Sequence, residues 1–474
     1  MDNDGVALMQ PRFQFNALIA RTIQTIQHSS SPILFIFDGL DEFESTIASY
    51  QSIMRLFIHN LASLSPNVRV FVTSRPEPYI GGLLMATPAT NLKVYNLDDH
   101  KEDQQADIAT YLLQRLTVIP EELGICLECD HGTGWFSKDE LGRLAFRAGQ
   151  SFVYASTAIR LIADPVARDP RAQLSMLLDA PSHPSSELDQ LYLLVLERAF
   201  PQGTDDTTLA RLRSISASIG LSYIPGDKSL EVHAGIVGLS LIDVQKCLVH
   251  LQSVISLRLG IATYHHRSFF NFLIDPTGRV DPRFLIDKEH YEVTFARRCV
   301  EILETFWSPV LDEASVSRPD FESLYDWESG DEVTSHACEN WILFIFQVNP
   351  GNESLLALVM AFLGSNAFVG WLFTSWNSGV SVMKDLVLVC LWNCSLKGPI
   401  LAAIRRYPHV WEACQRDTWF FYFDSDVGMD GDMSESFIQD VNDSTPWAKK
   451  CRLAKGACEL CHELRENQLS LARW

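Results

Sequence analysis

Carboxylates gathered at the end of an apolar run offer the clearest chemistry in this chain. Ile33-Leu34-Phe35-Ile36-Phe37 is a continuous apolar stretch of strand length, and it stops at Asp38-Gly39-Leu40-Asp41-Glu42. A hard Mg²⁺ ion prefers carboxylate and water oxygens, and an adjacent acid can orient an attacking water. Asp38 is therefore the candidate to hold Mg²⁺ through water, with Asp41 or Glu42 as the water-positioning acid. A second apolar run, Val68-Arg69-Val70-Phe71-Val72, ends in Thr73-Ser74-Arg75-Pro76. Both runs deliver polar side chains at their carboxyl ends, where open α/β sheets bind ligands.

Three other constellations carry less. Cys458-Glu459-Leu460-Cys461-His462 matches a short haem-attachment string, yet in a helical tail the cysteine pair simply shares one face. Cys126-Leu127-Glu128-Cys129-Asp130-His131 has zinc-like spacing, but a structural zinc needs four ligands and three are in sight. The loop from Asp426 has Gly428 at its third position and Phe437 at its twelfth, where a calcium loop needs Asp or Asn and a bidentate Glu. No haem, zinc or calcium is expected.

The elements that must position the carboxylates follow from periodicity. Ile53, Leu56, Phe57, Leu61 and Leu64 lie on one face of a helix between the two strands, and Leu92 to Leu97 is expected to add a third strand. From Asp98 the period becomes helical, with Ile108, Tyr111, Leu112 and Leu116 in one helix and Leu141 to Ile162 in another. Asp179 to Asp189 is rich in Pro and Ser and marks a boundary. Helices then start near Leu191, Leu209 and Val232, and Ser240 with Asp243 forms a capping box. A hairpin pairs Val254 to Leu257 with Ile261 to Tyr264, so helices and hairpin together make a winged-helix pattern. Trp-rich helices fill the rest. Ser354 to Met383 carries no charged residue, but Gly364, Ser365 and Asn366 interrupt it, so two buried helices account for it better than a membrane span.

The string from Ile33 to Glu42, with its small residue before Asp41-Glu42, resembles the Walker B site of the NACHT signalling ATPases. Val72-Thr73-Ser74-Arg75-Pro76 is similar to that family's sensor strand, which implies that Arg75 faces the terminal phosphate. Further segments resemble fungal, NLR-like NACHT proteins: Phe152 to Arg160 their helical domain, Leu188 to Tyr192 the entry to their winged helix, and Ala337 to Trp341 a later helix. His266-Arg267-Ser268-Phe269-Phe270-Asn271-Phe272-Leu273 is similar to their winged-helix His motif, which implies that His266 contacts a bound diphosphate. Arg267 departs from the Asp of many relatives. A capped, half-buried histidine at a helix start is the equally weighted alternative for His266.

One part of such a module is missing. No Gly-x-x-x-x-Gly-Lys-[Ser/Thr] string, whose backbone N–H groups and Lys cradle phosphates, occurs in the sequence. The closest string, Gly226-Asp227-Lys228-Ser229, lacks the Gly before Lys. In the resembling family the loop precedes the first of these strands, so it is expected upstream of Met1, lost by truncation or by degeneration. Losing about four charge-assisted bonds at roughly 1.5–3 kcal/mol each costs ~6–12 kcal/mol gross, so ATP or ADP with Mg²⁺ is expected to bind weakly. The lid also departs from pattern, with Gly149-Gln150-Ser151-Phe152 in place of Gly followed closely by Pro.

Composition bounds the remainder. A chain of 474 residues, 47% hydrophobic and 20% charged, is ordinary globular protein of roughly three or four units. Its net charge of −21, with no basic run, excludes nucleic acid as a natural partner. The N-terminus lacks the pattern of a secretory signal, and the eleven cysteines are scattered through apolar stretches, so reduced thiols and a cytoplasmic location are expected. The fold class expected is a partial P-loop NTPase α/β sheet (residues 1–97), a helical lid domain (98–185), a winged helix (186–286) and an all-α C-terminal region (287–474). The function expected is a NACHT-type regulatory protein with an impaired nucleotide switch, working through protein partners or self-association. The alternative is a nucleotide-independent interaction scaffold.

Overall fold

The computed structural model describes residues 15–26, 33–39, 68–75, 80, 93–125, 134–181, 186–221, 228–277, 280–307, 331–377, 386, 389 and 392–406. Asp41, Glu42, the helix expected around Ile53 to Leu64, Cys126 to His131, the Asp426 loop and Cys458 to His462 lie outside the described residues. The chain divides into two units, Met1–Tyr95 with Ser381–Trp474, and Asn96–Val380.

In the first unit a wide helical turn, Phe15–Ala20, runs into α1 (Arg21–Ile26). The two apolar runs form β1 (Ile33–Phe37) and β2 (Val68–Val72), paired in parallel with Ile33 opposite Val68 and Phe37 opposite Val72. Side chains alternate across a strand. Ile33, Phe35, Val68 and Val70 therefore share the face that packs on Phe15, Ile19, Ala20 and Ile23. Leu34, Ile36 and Phe71 point the other way and are 58%, 63% and 53% exposed. The runs are apolar on both faces, which predicts cover on both, and among the described residues only the first face is packed. The stretch expected as a third strand also differs: Lys93 to Asn96 has no regular structure, and Val94 and Tyr95 are exposed. Strand-forming residue types do not make a strand without a ladder to join.

The second unit is helical apart from one hairpin. Its first bundle contains α2 (Lys101–Leu123), α3 (Lys138–Ala148), α4 (Phe152–Ile162), α5 (Pro170–Asp179) and α6 (Glu187–Ala199). α4 packs against all four others, which is why it is apolar nearly all round. Leu141 to Ile162 is two helices and not one: Gly149, at φ +55°, ends α3, and the Ser151 hydroxyl accepts from the Tyr154 N–H at 3.1 Å to start α4. A reciprocal capping box sits at Ser137 and Glu140.

Next come α7 (Asp206–Gly220), α8 (Leu230–Val237) and α9 (Leu241–Leu248), then β3 (Ile255–Arg258) and β4 (Ile261–Tyr264), an antiparallel hairpin turned by Leu259 and Gly260 at φ +53° and +77°. Ser240 caps α9 as expected, but Asp243 accepts from the Ser240 hydroxyl at 2.7 Å, so the box is not the full reciprocal kind. α10 (Arg267–Leu273) follows, then α11 (Lys288–Trp307), α12 (Glu332–Gln347), α13 (Glu353–Leu363) and α14 (Asn366–Asn377). α11 and α12 lie along each other, and in a buried aromatic core Trp341 meets Phe362 and Trp371 edge to face while Phe368 stacks on Trp371. The uncharged stretch is bent by 80° between α13 and α14, and no single helix among the described residues is long and apolar enough to cross a membrane. In the first unit, α15 (Lys397–Arg406) is the last described helix.

Candidate functional site

The site begins with strand register. Because Phe37 faces Val72, the next residues, Asp38 and Thr73, emerge side by side at the carboxyl end of the sheet. The Thr73 N–H donates to the Phe37 carbonyl at 2.9 Å and extends the ladder by one bond. The Thr73 hydroxyl then uses both of its capacities: it donates to the Asp38 carboxylate and accepts from the Gly39 N–H at 2.8 Å. Gly39 delivers that N–H because it takes φ +65°, a conformation a side chain would strain. The clamp holds one carboxylate oxygen and leaves the other on an exposed residue. An oxygen so placed fits a water-mediated contact to a hard cation, with water and phosphate oxygens completing the shell.

Arg75 lies two residues beyond the clamp at the same sheet end, exposed, and the Ser74 hydroxyl donates to its carbonyl at 2.8 Å. Asp38 and Arg75 are thus brought to one edge of one sheet. Asp41 and Glu42 lie outside the described residues. Sequence reasoning missed Thr73, which sat inside the quoted string without a role; the equal length of the two apolar runs was the signal that pairs it with Asp38.

Residues 2–75 match the family model described as Nephrocystin 3, N-terminal. The matched stretch takes in Asp38, Asp41 and Glu42 and ends at Arg75, and it supports a loose NACHT-like likeness. No curated protein and no solved structure matches the chain.

His266 belongs to the second unit, where it is the N-cap of α10. Its Nδ1 accepts from the Ser268 N–H at 3.1 Å and lies 2.6 Å from the Ser268 Oγ. A backbone N–H can only donate, so Nδ1 carries the lone pair and the neutral ring holds its proton on Nε2. The Ser268 hydroxyl then donates to Nδ1, and the Tyr192 hydroxyl, 2.7 Å from Ser268 Oγ, donates in turn. Burial pushes the Tyr192 phenol up, which keeps it a donor. The chain Tyr192, Ser268, His266 ties α6 to α10 and fixes the imidazole. His266 is therefore a capped, half-buried histidine at a helix start, with its Nε2–H side set by that bond.

Proposed function

We propose that this chain is a NACHT-type, NLR-like regulatory protein whose first unit carries the carboxyl-end half of a nucleotide-switch site. The observation that carries the reading is the Asp38–Thr73–Gly39 clamp at the end of two parallel strands, inside the stretch that matches the Nephrocystin 3 N-terminal model. In this reading Asp38 holds Mg²⁺ through water, Asp41 or Glu42 positions water, Arg75 meets the γ-phosphate and His266 offers its Nε2–H to a diphosphate. Mg²⁺, when bound with nucleotide, supplies charge neutralisation for the phosphates. The α7, α8 and α9 helices with the β3–β4 hairpin play the part of a winged helix, and partners or further copies of the chain receive the output.

With no Gly-x-x-x-x-Gly-Lys-[Ser/Thr] string, Mg²⁺-ATP binds this chain with a dissociation constant well above micromolar. Titration calorimetry tests this, and a constant at or below micromolar overturns it. The rival reading, a nucleotide-independent scaffold, has one observation in its favour: Thr73 already satisfies one Asp38 oxygen with no ligand needed. The two part on mutation. Asp38→Ala and Arg75→Ala abolish the residual nucleotide response and alter self-association under the switch reading, and leave self-association untouched under the scaffold reading.

A further inference from the structure

Two residues on α3 are not asked for by its packing. The inner side of this helix is Leu144, Ala145 and Ala148, all buried. Its outer side sets Lys138, Gly142 and Phe146 in one row and Asp139, Arg143 and Arg147 in the next, each at i, i+4 spacing. Phe146 is 79% exposed on that side. Gly142 sits one turn before it in mid-helix, where glycine is the poorest helix former after proline, and a methyl group there would meet nothing within 4 Å. A lone exposed apolar side chain is ordinary, and so is a glycine that makes room for a neighbour. Here the room beside the ring has no neighbour in it among the described residues.

That room is part of an open groove of about 450 Å³ between this side of α3 and the end of α5, lined by both rows and by the buried Leu178. Arg143 and Arg147 each donate to the Leu178 carbonyl, at 3.0 and 3.1 Å, and Arg147 donates to the Ala180 carbonyl as well. These bonds satisfy the last carbonyls of α5 and fix both guanidiniums at the groove. A guanidinium has several N–H donors, so the forks keep capacity for a carboxylate. Lys138 adds a third cation. Asp139 is the acid that lines the groove, and Asp179, 3.8 Å from Arg143 and 77% exposed, is a weak surface partner. In a chain of net charge −21 this groove is a local surplus of positive charge beside a bare aromatic ring.

We propose that the α3–α5 groove docks an acidic segment of a partner protein, with an apolar side chain of that segment seated on Phe146 over Gly142 and its carboxylates on Lys138, Arg143 and Arg147. Arginine and aromatic side chains together are the composition of interface anchors. Charge selects the occupant. At physiological salt the screening length is about 8 Å, so a short segment lying in the groove feels these cations, whereas a long nucleic-acid backbone would also run along the acidic surface of a chain with this net charge. The groove uses residues of the second unit alone, and the proposal does not rest on the nucleotide reading.

The test selects a phage-displayed library of short random peptides on the immobilised full chain, then measures one synthetic peptide from the selected set by fluorescence anisotropy. Selected peptides are expected to carry Asp or Glu around a Phe, Leu or Trp. Three variants probe the groove without touching its hydrogen bonds to α5. Lys138→Glu reverses an exposed charge at the first position of α3, where an acid suits the helix, and Phe146→Ser removes the bare ring. Gly142→Leu fills the groove and improves helix propensity, so thermal unfolding should show a fold no less stable while the site is blocked. Each variant is expected to weaken peptide binding by about tenfold or more. No enrichment over the bare support, selected peptides without acidic residues, binding that survives any one of the three variants, or displacement of the peptide by inorganic phosphate beyond that by NaCl at matched ionic strength overturns the proposal.

Discussion

At the scale of single residues, the Thr73 hydroxyl and a pair of buried histidines make the sharpest claims. Thr73→Val keeps the β-branched shape but leaves the Gly39 N–H without its acceptor and Asp38 without its donor. The loss is about 1–2 kcal/mol, local to the strand ends, and hydrogen exchange at the Gly39 amide is expected to rise correspondingly. His233 on α8 and His336 on α12 are held below the ordinary histidine range. Burial pushes His233 down to about 4, with Lys228 adding to it and the Ala262 backbone opposing. Burial pushes His336 down to about 3, with Lys228 and His233 adding to it. Asn340 donates to the His336 Nδ1 at 3.2 Å, which only a neutral imidazole can accept, and the Ser218 hydroxyl, which donates to the Ile215 carbonyl, lies 3.1 Å from the His233 Nδ1. The unfolded chain takes up these protons near pH 6.5 and the folded chain does so only well below it. Stability is therefore full above about pH 6.5 and falls as the pH drops, by on the order of 2 kcal/mol per histidine at about pH 5. Glu140, Asp205 and Asp281 are held below their ordinary values, so their share is lost only at lower pH. Denaturant melts at pH 7 and pH 5 should show the drop, and His336→Leu should remove about half of it; an unchanged difference would mean that other groups set the slope.

At the scale of elements, what the sequence made legible was whatever a short window decides. The β1 and β2 runs, the β3–β4 hairpin with its Leu259-Gly260 turn, and the break between α13 and α14 all sit where apolar period and turn residues put them. Partners distant in sequence were harder. Lys93 to Asn96 lies in a stretch of strand-forming residues and joins no ladder among the described residues, and the pairing of Asp38 with Thr73 needed the register of two strands separated by a long connection. Gly149 ended a helix that apolar period alone would have continued. Glycines inside helices show the same division, because the same residue type answers to propensity at one position and to packing at another. A methyl group on Gly370 would stand 2.2 Å from the indole of Trp307, which is itself buried against α14, whereas one on exposed Gly142 meets nothing within 4 Å. Replacing Gly by Ala gains at most about 1 kcal/mol of helix propensity, and overpacking a closed core costs about 1–3 kcal/mol. Gly142→Ala should therefore raise stability by about 0.5–1 kcal/mol and Gly370→Ala should lower it by about as much or more. Chemical denaturation of the two variants decides it, and a stabilised Gly370→Ala would show that Trp307 can move aside.

At the scale of the whole molecule the uncovered sheet face and the net charge pull in opposite directions, and their balance is measurable. Parallel strands are apolar on both sides because they sit between layers, yet Leu34, Ile36 and Phe71 present more than half of their surfaces to solvent. At ~25 cal/mol per Å², covering roughly 200–300 Å² of such surface is worth about 5–7.5 kcal/mol, comparable to the stability of a domain. A second copy of the chain can supply that cover, and a net charge of −21 on each copy resists it. Salt weakens the repulsion, since the screening length shrinks from ~10 Å at 0.1 M to ~3 Å at 1 M, and leaves the apolar gain in place. The chain is thus expected to self-associate in light scattering, more strongly as salt is raised. Ile36→Lys and Phe71→Lys place a charge on the open face without touching the Phe15, Ile19 and Ile23 side, and they should shift the population toward monomer. A clean monomer of the unaltered chain at high salt, or association that falls as salt rises, would show that this face is not what holds copies together.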